Sequence, residues 1–155
     1  MTKVNDFDKV IACFKELEMN NIDINQFNNR ILVQKVIFLL QLEGIKFDKY
    51  YFDLYIRGPY SPALTRDFFN RPKHLFELKT NEDLTVNEKA ILRKLKKIKD
   101  LDISTLEIGA TYAYLVKIDK LQHDEAIKQI KDLKPFYLHH RITNNILVIK
   151  QLLSL

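Results

Sequence analysis

The chain has 155 residues, a length that fits one domain spanning 1–155 and that buries a core without disulfide or metal staples. Its 46% hydrophobic and 29% charged residues are the balance of a soluble globular protein, not of a disordered or fibrous one. Twenty-five Lys and Arg against 20 Asp and Glu give a net charge of +5, which permits contact with nucleic acid or acidic protein and demands neither.

The first element, NDFDKVIACFKELEM, has Val10, Ile11, Phe14 and Leu17 at helical spacing, with Asp6 and Asp8 near the start, where negative charge suits the helix dipole. After an asparagine-rich connection, NRILVQKVIFLLQLEGIKF carries apolar residues most of the way round a helix, which predicts a helix central to the core. Arg30, Gln34 and Gln41 form its narrow polar stripe, and Gly44 is its stop signal. Residues 50–57 change period: Phe52, Leu54 and Ile56 alternate with Tyr51, Asp53, Tyr55 and Arg57, which predicts a strand ended by Gly58-Pro59. Ser61-Pro62 then reads as an N-cap followed by proline at the first helical position, opening a short helix that Pro72 ends. HLFELK suggests a second short strand to pair with the first.

TVNEKAILRKLKKIKDL opens with Thr85 and Glu88 at capping-box spacing and buries Ile91, Leu92, Leu95 and Ile98. STLEIGATYAYLVKI opens in the same way with Ser104 and Glu107. HDEAIKQIKDLKP is a shorter helix stopped by Pro135, and RITNNILVIKQLLSL closes the chain as an apolar helix. No internal repeat or dividing linker is visible. The predicted fold is mainly α (α+β): about six helices around a buried central helix, with a small two-stranded β element.

Few of the reactive residues group into a catalytic pattern. Ser61 lacks a G-x-S-x-G elbow, and the cap accounts for it. Cys13, the lone cysteine, lies beside an apolar helix face, where a structural thiol is expected; a single cysteine also excludes an internal disulfide framework and suits the reducing cytoplasm. His74, His123, His139 and His140 form no H-x-x-x-H pair, so no metal site is expected. Three scattered glycines make no phosphate-binding fingerprint, and no cofactor is expected. Asp53 and Asp67 flank the Gly58 corner, and one of them is expected to pair with Arg57 or Arg66. The opening MTKVNDFDKV has no apolar signal core, and the strongest apolar run, 36–40, is too short to span a bilayer, so the expectation is a cytoplasmic protein without a membrane partner.

Two binding surfaces remain. On the helix after Thr85, Lys89, Arg93, Lys96 and Lys97 fall within about 100° of arc opposite the apolar face, a row that can bind phosphates and that reads first as the solvated face of an amphipathic helix. No aromatic residues are interleaved to stack on bases. A winged-helix reading, with SPALTRDFF as recognition helix, offers Thr65 and Arg66 alone. The second surface is YIRGPYSP. A strand-to-helix corner explains Gly58, Pro59, Ser61 and Pro62 but needs neither Arg57 nor Tyr60. With Tyr55 and Tyr51 these make an aromatic and arginine group of the kind that anchors protein interfaces.

The order of LVQKVIFLLQ, an aromatic strand and RGPYSPAL resembles the Panacea or SocA-like domain, in which an apolar helix precedes a Gly-Pro corner and a further helix. The RGPYSP corner and the later LEIGATYAYL and IKDLKPFY segments are similar to YwgA-like proteins of bacteria and archaea, so the likeness runs from about Arg30 to Leu153. The resemblance implies a non-enzymatic antitoxin or adaptor that binds a partner toxin directly, in toxin–antitoxin or phage-defence settings, and it brings no catalytic residues. The chain departs from the Panacea pattern at Tyr60-Ser61, which replaces an apolar pair, and in having no tryptophan on the strand.

Overall fold

The structure, a computed structural model, describes residues 5–153 and 155. It is mainly helical with one small antiparallel hairpin, as the sequence indicates. In chain order the described elements are α1 (Asp6–Glu16), α2 (Phe27–Leu42), β1 (Asp53–Tyr55), β2 (Gly58–Tyr60), α3 (Pro62–Asn70), α4 (Pro72–Glu77), α5 (Val86–Lys94), a 3₁₀ turn (Lys96–Asp100), α6 (Ile103–Lys117), α7 (His123–Leu133) and α8 (His139–Leu152). The eight α-helices among the described residues match the expected six or so around a central helix, with one added because Pro72–Glu77, read as a strand, is helical.

Local signals set most helix ends. Asn5 caps α1, its Oδ1 accepting from the Phe7 amide at 2.8 Å, and Asp6 and Asp8 occupy the first turn. Asp6 does more than complement the dipole: its buried carboxylate accepts from the Asp48 and Lys49 amides, each at 2.8 Å, which ties the loop after α2 to α1. α2 ends where Gly44 takes a φ of +114°, letting the Ile45 amide bond back to the Leu40 carbonyl at 3.0 Å. Thr85 and Glu88 form the expected capping box on α5.

Two helices occupy the centre. α2 is buried at every position from Val33 to Leu40, as its all-round apolar sequence requires, and α6 is buried from Thr105 to Leu115. They pack on one another, and α8 packs against α6. The α6–α8 approach depends on Gly109, where a Cβ would stand 2.7 Å from Ile149 Cγ1. α1, α3 and α5 close another flank of the core.

Four expectations are corrected. The strand over 50–57 shrinks to Asp53–Tyr55, and its partner is Gly58–Tyr60, paired in the register Asp53↔Tyr60, Leu54↔Pro59 and Tyr55↔Gly58. Gly58-Pro59 therefore does not end the β element but forms its return strand; proline fits because a two-stranded ribbon leaves one edge of each strand unpaired. Ile56, read as part of the alternating strand, sits in the turn and is 77% exposed. HLFELK is not a strand: Pro72 starts α4, its fixed φ suiting the first helical turn. On α6 the cap is Asp102, whose Oδ1 accepts from the Thr105 amide at 2.8 Å, and not Ser104.

Candidate functional site

The hairpin, the N-terminal half of α2 and α3 enclose an open groove of about 430 Å³. Its construction begins at the Ser61 corner. Ser61 is fully buried; its Oγ accepts the Leu64 amide at 3.3 Å and so caps α3 as expected. Gln34 of α2 clamps the same residue from below. Its Oε1 accepts the Ser61 amide at 2.8 Å, while Nε2 donates to the Ser61 carbonyl at 3.0 Å and to Thr65 Oγ1 at 2.8 Å. Gln34 of the polar stripe is thus a grip on the corner: an otherwise apolar helix needs an amide here because the strand-to-helix turn brings buried backbone groups against it.

Two buried lysines each hold one carbonyl of the hairpin. Lys35 Nζ donates to the Pro59 carbonyl at 2.8 Å, and Lys134 Nζ to the Ile56 carbonyl at 3.0 Å. Lys134 also pairs with Glu107 of α6 at 2.7 Å, both side chains being 1% exposed. Arg57 Nη1 stands 3.8 Å from the second oxygen of Glu107. Burial pulls the Lys35 ammonium down to about 7; Lys134 and Arg57 push in the same direction and Glu107 opposes them. Gly58 is required where this cluster meets the backbone. It has a φ of +97°, and a Cβ there would lie 2.7 Å from Thr111 Oγ1 and 3.3 Å from Lys35 Cε.

The rim is aromatic. Phe27 carries two guanidinium groups on its ring, Arg57 at 5.3 Å and Arg30 at 5.5 Å from the centroid, and Arg30 is anchored to the Ile24 carbonyl at 2.8 Å. Tyr55 and Tyr60 meet edge to face across the hairpin at 5.4 Å. Of the four residues singled out for partner binding, Arg57, Tyr60 and Tyr55 line this groove together. Tyr51 does not: it is exposed on a separate depression with Phe38, Gln41 and Ile118. Among the described residues neither aspartate forms the expected ion pair with Arg57 or Arg66. Asp67 instead accepts the Tyr50 hydroxyl at 2.6 Å, while Arg57 faces Glu107.

The basic row is altered by a break. Lys89, Arg93, Lys96 and Lys97 are all exposed, but α5 stops at Lys94, and Lys96 and Lys97 belong to the 3₁₀ turn. The cause is the spacing of Leu92, Leu95 and Ile98, all buried: residues three apart share a face in a 3₁₀ helix, so tightening keeps them inward and moves the two lysines out of α-helical register. Elsewhere, Cys13 is fully buried, and burial pushes its thiol up to about 12. His123 Nδ1 lies 2.7 Å from the Tyr112 hydroxyl. Among the described residues no group of three or more His, Cys, Asp or Glu is arranged to hold a metal ion, and no helix is long and apolar enough to cross a membrane.

Lys35, Glu107 and Lys134 were not read as site residues. A signal existed for the first two, since each is a charged residue within a helical run that is apolar all round; Lys134, beside Pro135 at a helix end, carried none. The fold and site define a helical protein whose β-hairpin presents an aromatic, cationic groove. No protein-family model matches the chain, and neither a curated protein nor a solved structure does.

Proposed function

We propose that the chain is a non-enzymatic protein-interaction module, antitoxin-like or adaptor-like, of the kind that its resemblance to Panacea and SocA-like domains implies, and that it docks its partner over the hairpin groove. One observation supports this most: Phe27, Tyr55, Ile56 and Phe69, exposed by 50%, 52%, 77% and 51%, all stand around one depression beside Arg57. Single exposed apolar side chains are ordinary on a protein surface; a cluster of them with tyrosine and arginine is the composition of an interface core. The test is retention of partner from extracts of the source cell by immobilised protein. Wild type is expected to hold a specific protein that Arg57→Ala/Tyr60→Ala releases, and equal retention by both overturns the reading.

A second reading, a nucleic-acid-binding regulator, draws on the exposure of Lys89, Arg93, Lys96 and Lys97 and on the net charge of +5. It predicts salt-sensitive retardation of duplex DNA that weakens when the four are neutralised. Absence of retardation at low salt ends it.

A further inference from the structure

The charge inside the groove is one-sided. Three cations line it, Arg30, Lys35 and Arg57, and none of its described lining residues is acidic. The carboxylate that contacts these cations, Glu107, is committed to Lys134 at 2.7 Å and leaves Arg57 a looser contact at 3.8 Å. An ammonium has three protons to donate, and Lys35 meets one acceptor among the described residues, the Pro59 carbonyl. One carboxylate therefore serves Lys35, Arg57 and Lys134, and the surplus positive charge is walled by aromatic rings. The volume of about 430 Å³ suits one side chain with a polar group beside it. An apolar ligand leaves the cations unmatched; a small inorganic anion leaves the rings bare. A phosphate dianion brings a second negative charge towards Glu107, whereas a carboxylate brings one.

Resting on the interaction reading above, we propose that the groove receives a partner segment in which a carboxylate side chain adjoins an aromatic one, the ring among Phe27, Tyr55 and Tyr60 and the carboxylate against Arg57 and Lys35. Binding is then coupled to protons. The charged groups acting on Lys35 are Glu107 of α6, Lys134 beyond α7 and Arg57 of the hairpin, and together with burial they hold it at about 7. An arriving carboxylate favours the ammonium, so the complex takes up a proton and weakens as the solution becomes alkaline.

The test uses the blocked dipeptide acetyl-Phe-Glu-amide, titrated against the isotope-labelled protein and followed by NMR. It is expected to shift resonances of the groove residues and to bind about tenfold more tightly than acetyl-Phe-Gln-amide, the loss of one charge-assisted contact. Arg57→Met, a change at a half-exposed position that does not threaten folding, is expected to lower the affinity by a similar factor. Between about pH 6 and about pH 8.5 affinity is expected to fall several-fold, because the peptide carboxylate stays ionised over that range while Lys35 does not; a folded Lys35→Met protein shows no such fall. Equal binding of the Glu and Gln peptides, shifts outside the groove, or no binding overturns the proposal. So does binding of 3-phenylpropionate without the dipeptide, which assigns the groove to a free small acid, or preference for phenyl phosphate, which assigns it to a phosphoryl group. The two readings fail separately. If the peptide binds but Arg57→Ala/Tyr60→Ala retains partner like wild type, docking at this face is wrong and the anion site stands; if that variant releases partner but no peptide binds, only the carboxylate assignment falls.

Discussion

Lys35 reaches from the middle of α2, one of the two central helices, to the Pro59 carbonyl, 2.8 Å away, and so joins the core to the hairpin that carries the groove. The bond satisfies a buried carbonyl, but it places an amine where its charged form is poorly solvated. The lysine ionises at about 7 in the folded chain against about 10.5 unfolded, so the unfolded chain binds the extra proton between those values. Stability contributed by this group is therefore full above about pH 10.5, declines as pH falls through the window, and is fully lost below about pH 7. In denaturant titrations, the stability of wild type relative to Lys35→Met is expected to climb by a few kcal/mol on going from neutral to strongly alkaline solution. A difference that stays flat with pH shows that Lys35 is not held near neutrality.

Glu107 and Lys134 form a buried pair whose partners depend on each other. Removing one leaves a buried charge without its close partner, so Glu107→Leu and Lys134→Met are each expected to cost about 3–5 kcal/mol. Removing both takes away the desolvation cost as well as the attraction, and the double variant is expected to be more stable than either single one, short of wild type because the Ile56 carbonyl loses its donor. Chemical denaturation of the four proteins closes the cycle. Additive losses indicate that the two side chains are not coupled.

What was legible in the sequence was local. The apolar circumference of residues 31–42, the Ser61 cap with Pro62 behind it, the Thr85 and Glu88 box and the Gly44 stop each depend on residues within a turn or two of one another, and each is where the pattern places it. What was hidden depended on contacts between distant segments. Gly58 and Pro59 are strand breakers by propensity, yet they form β2, because Lys35 and Thr111 supply the surroundings that a glycine backbone needs there. Glu107 sits at capping-box spacing from Ser104, and that local reading hid its bond to Lys134, 27 residues away. The groove was half legible: Arg57, Tyr55 and Tyr60 stood out as residues a corner does not require, while its cationic floor lay inside an apolar helix where no local rule looks for it.

Gly58→Ala tests how tightly the hairpin is seated. The substitution forces a side chain into a positive φ and puts its Cβ 2.7 Å from Thr111 Oγ1. Overpacking of this kind costs about 1–3 kcal/mol before the backbone strain is added. Combining it with Thr111→Ala relieves the steric part and leaves the strain. The expected result is that the double variant recovers part of the lost thermal stability, with Thr111→Ala alone as the reference. Full stability in Gly58→Ala indicates that the hairpin shifts freely and that the groove has no fixed floor.

Cys13 reports on the integrity of the core. It is fully buried, and its thiol is pushed up to about 12, so thiolate is scarce at neutral pH and the sulfur is shielded from reagent. A disulfide reagent such as DTNB is expected to label native protein only at the rate of global or local opening, and to label unfolded protein at once. Rapid native labelling shows that α1 detaches from the core.

Arg57 separates stability from function. Its guanidinium is half exposed, its contact with Glu107 is 3.8 Å long, and Lys134 already neutralises that carboxylate. An ion pair of this kind contributes about 0–1 kcal/mol. Arg57→Ala is therefore expected to change the melting temperature little while weakening whatever binds over Phe27, since the guanidinium on that ring faces the groove. Melting and partner retention measured on the same preparation decide the matter. A large loss of stability makes Arg57 a structural residue and removes it from the docking face; unchanged melting with reduced retention is the behaviour of an interface anchor.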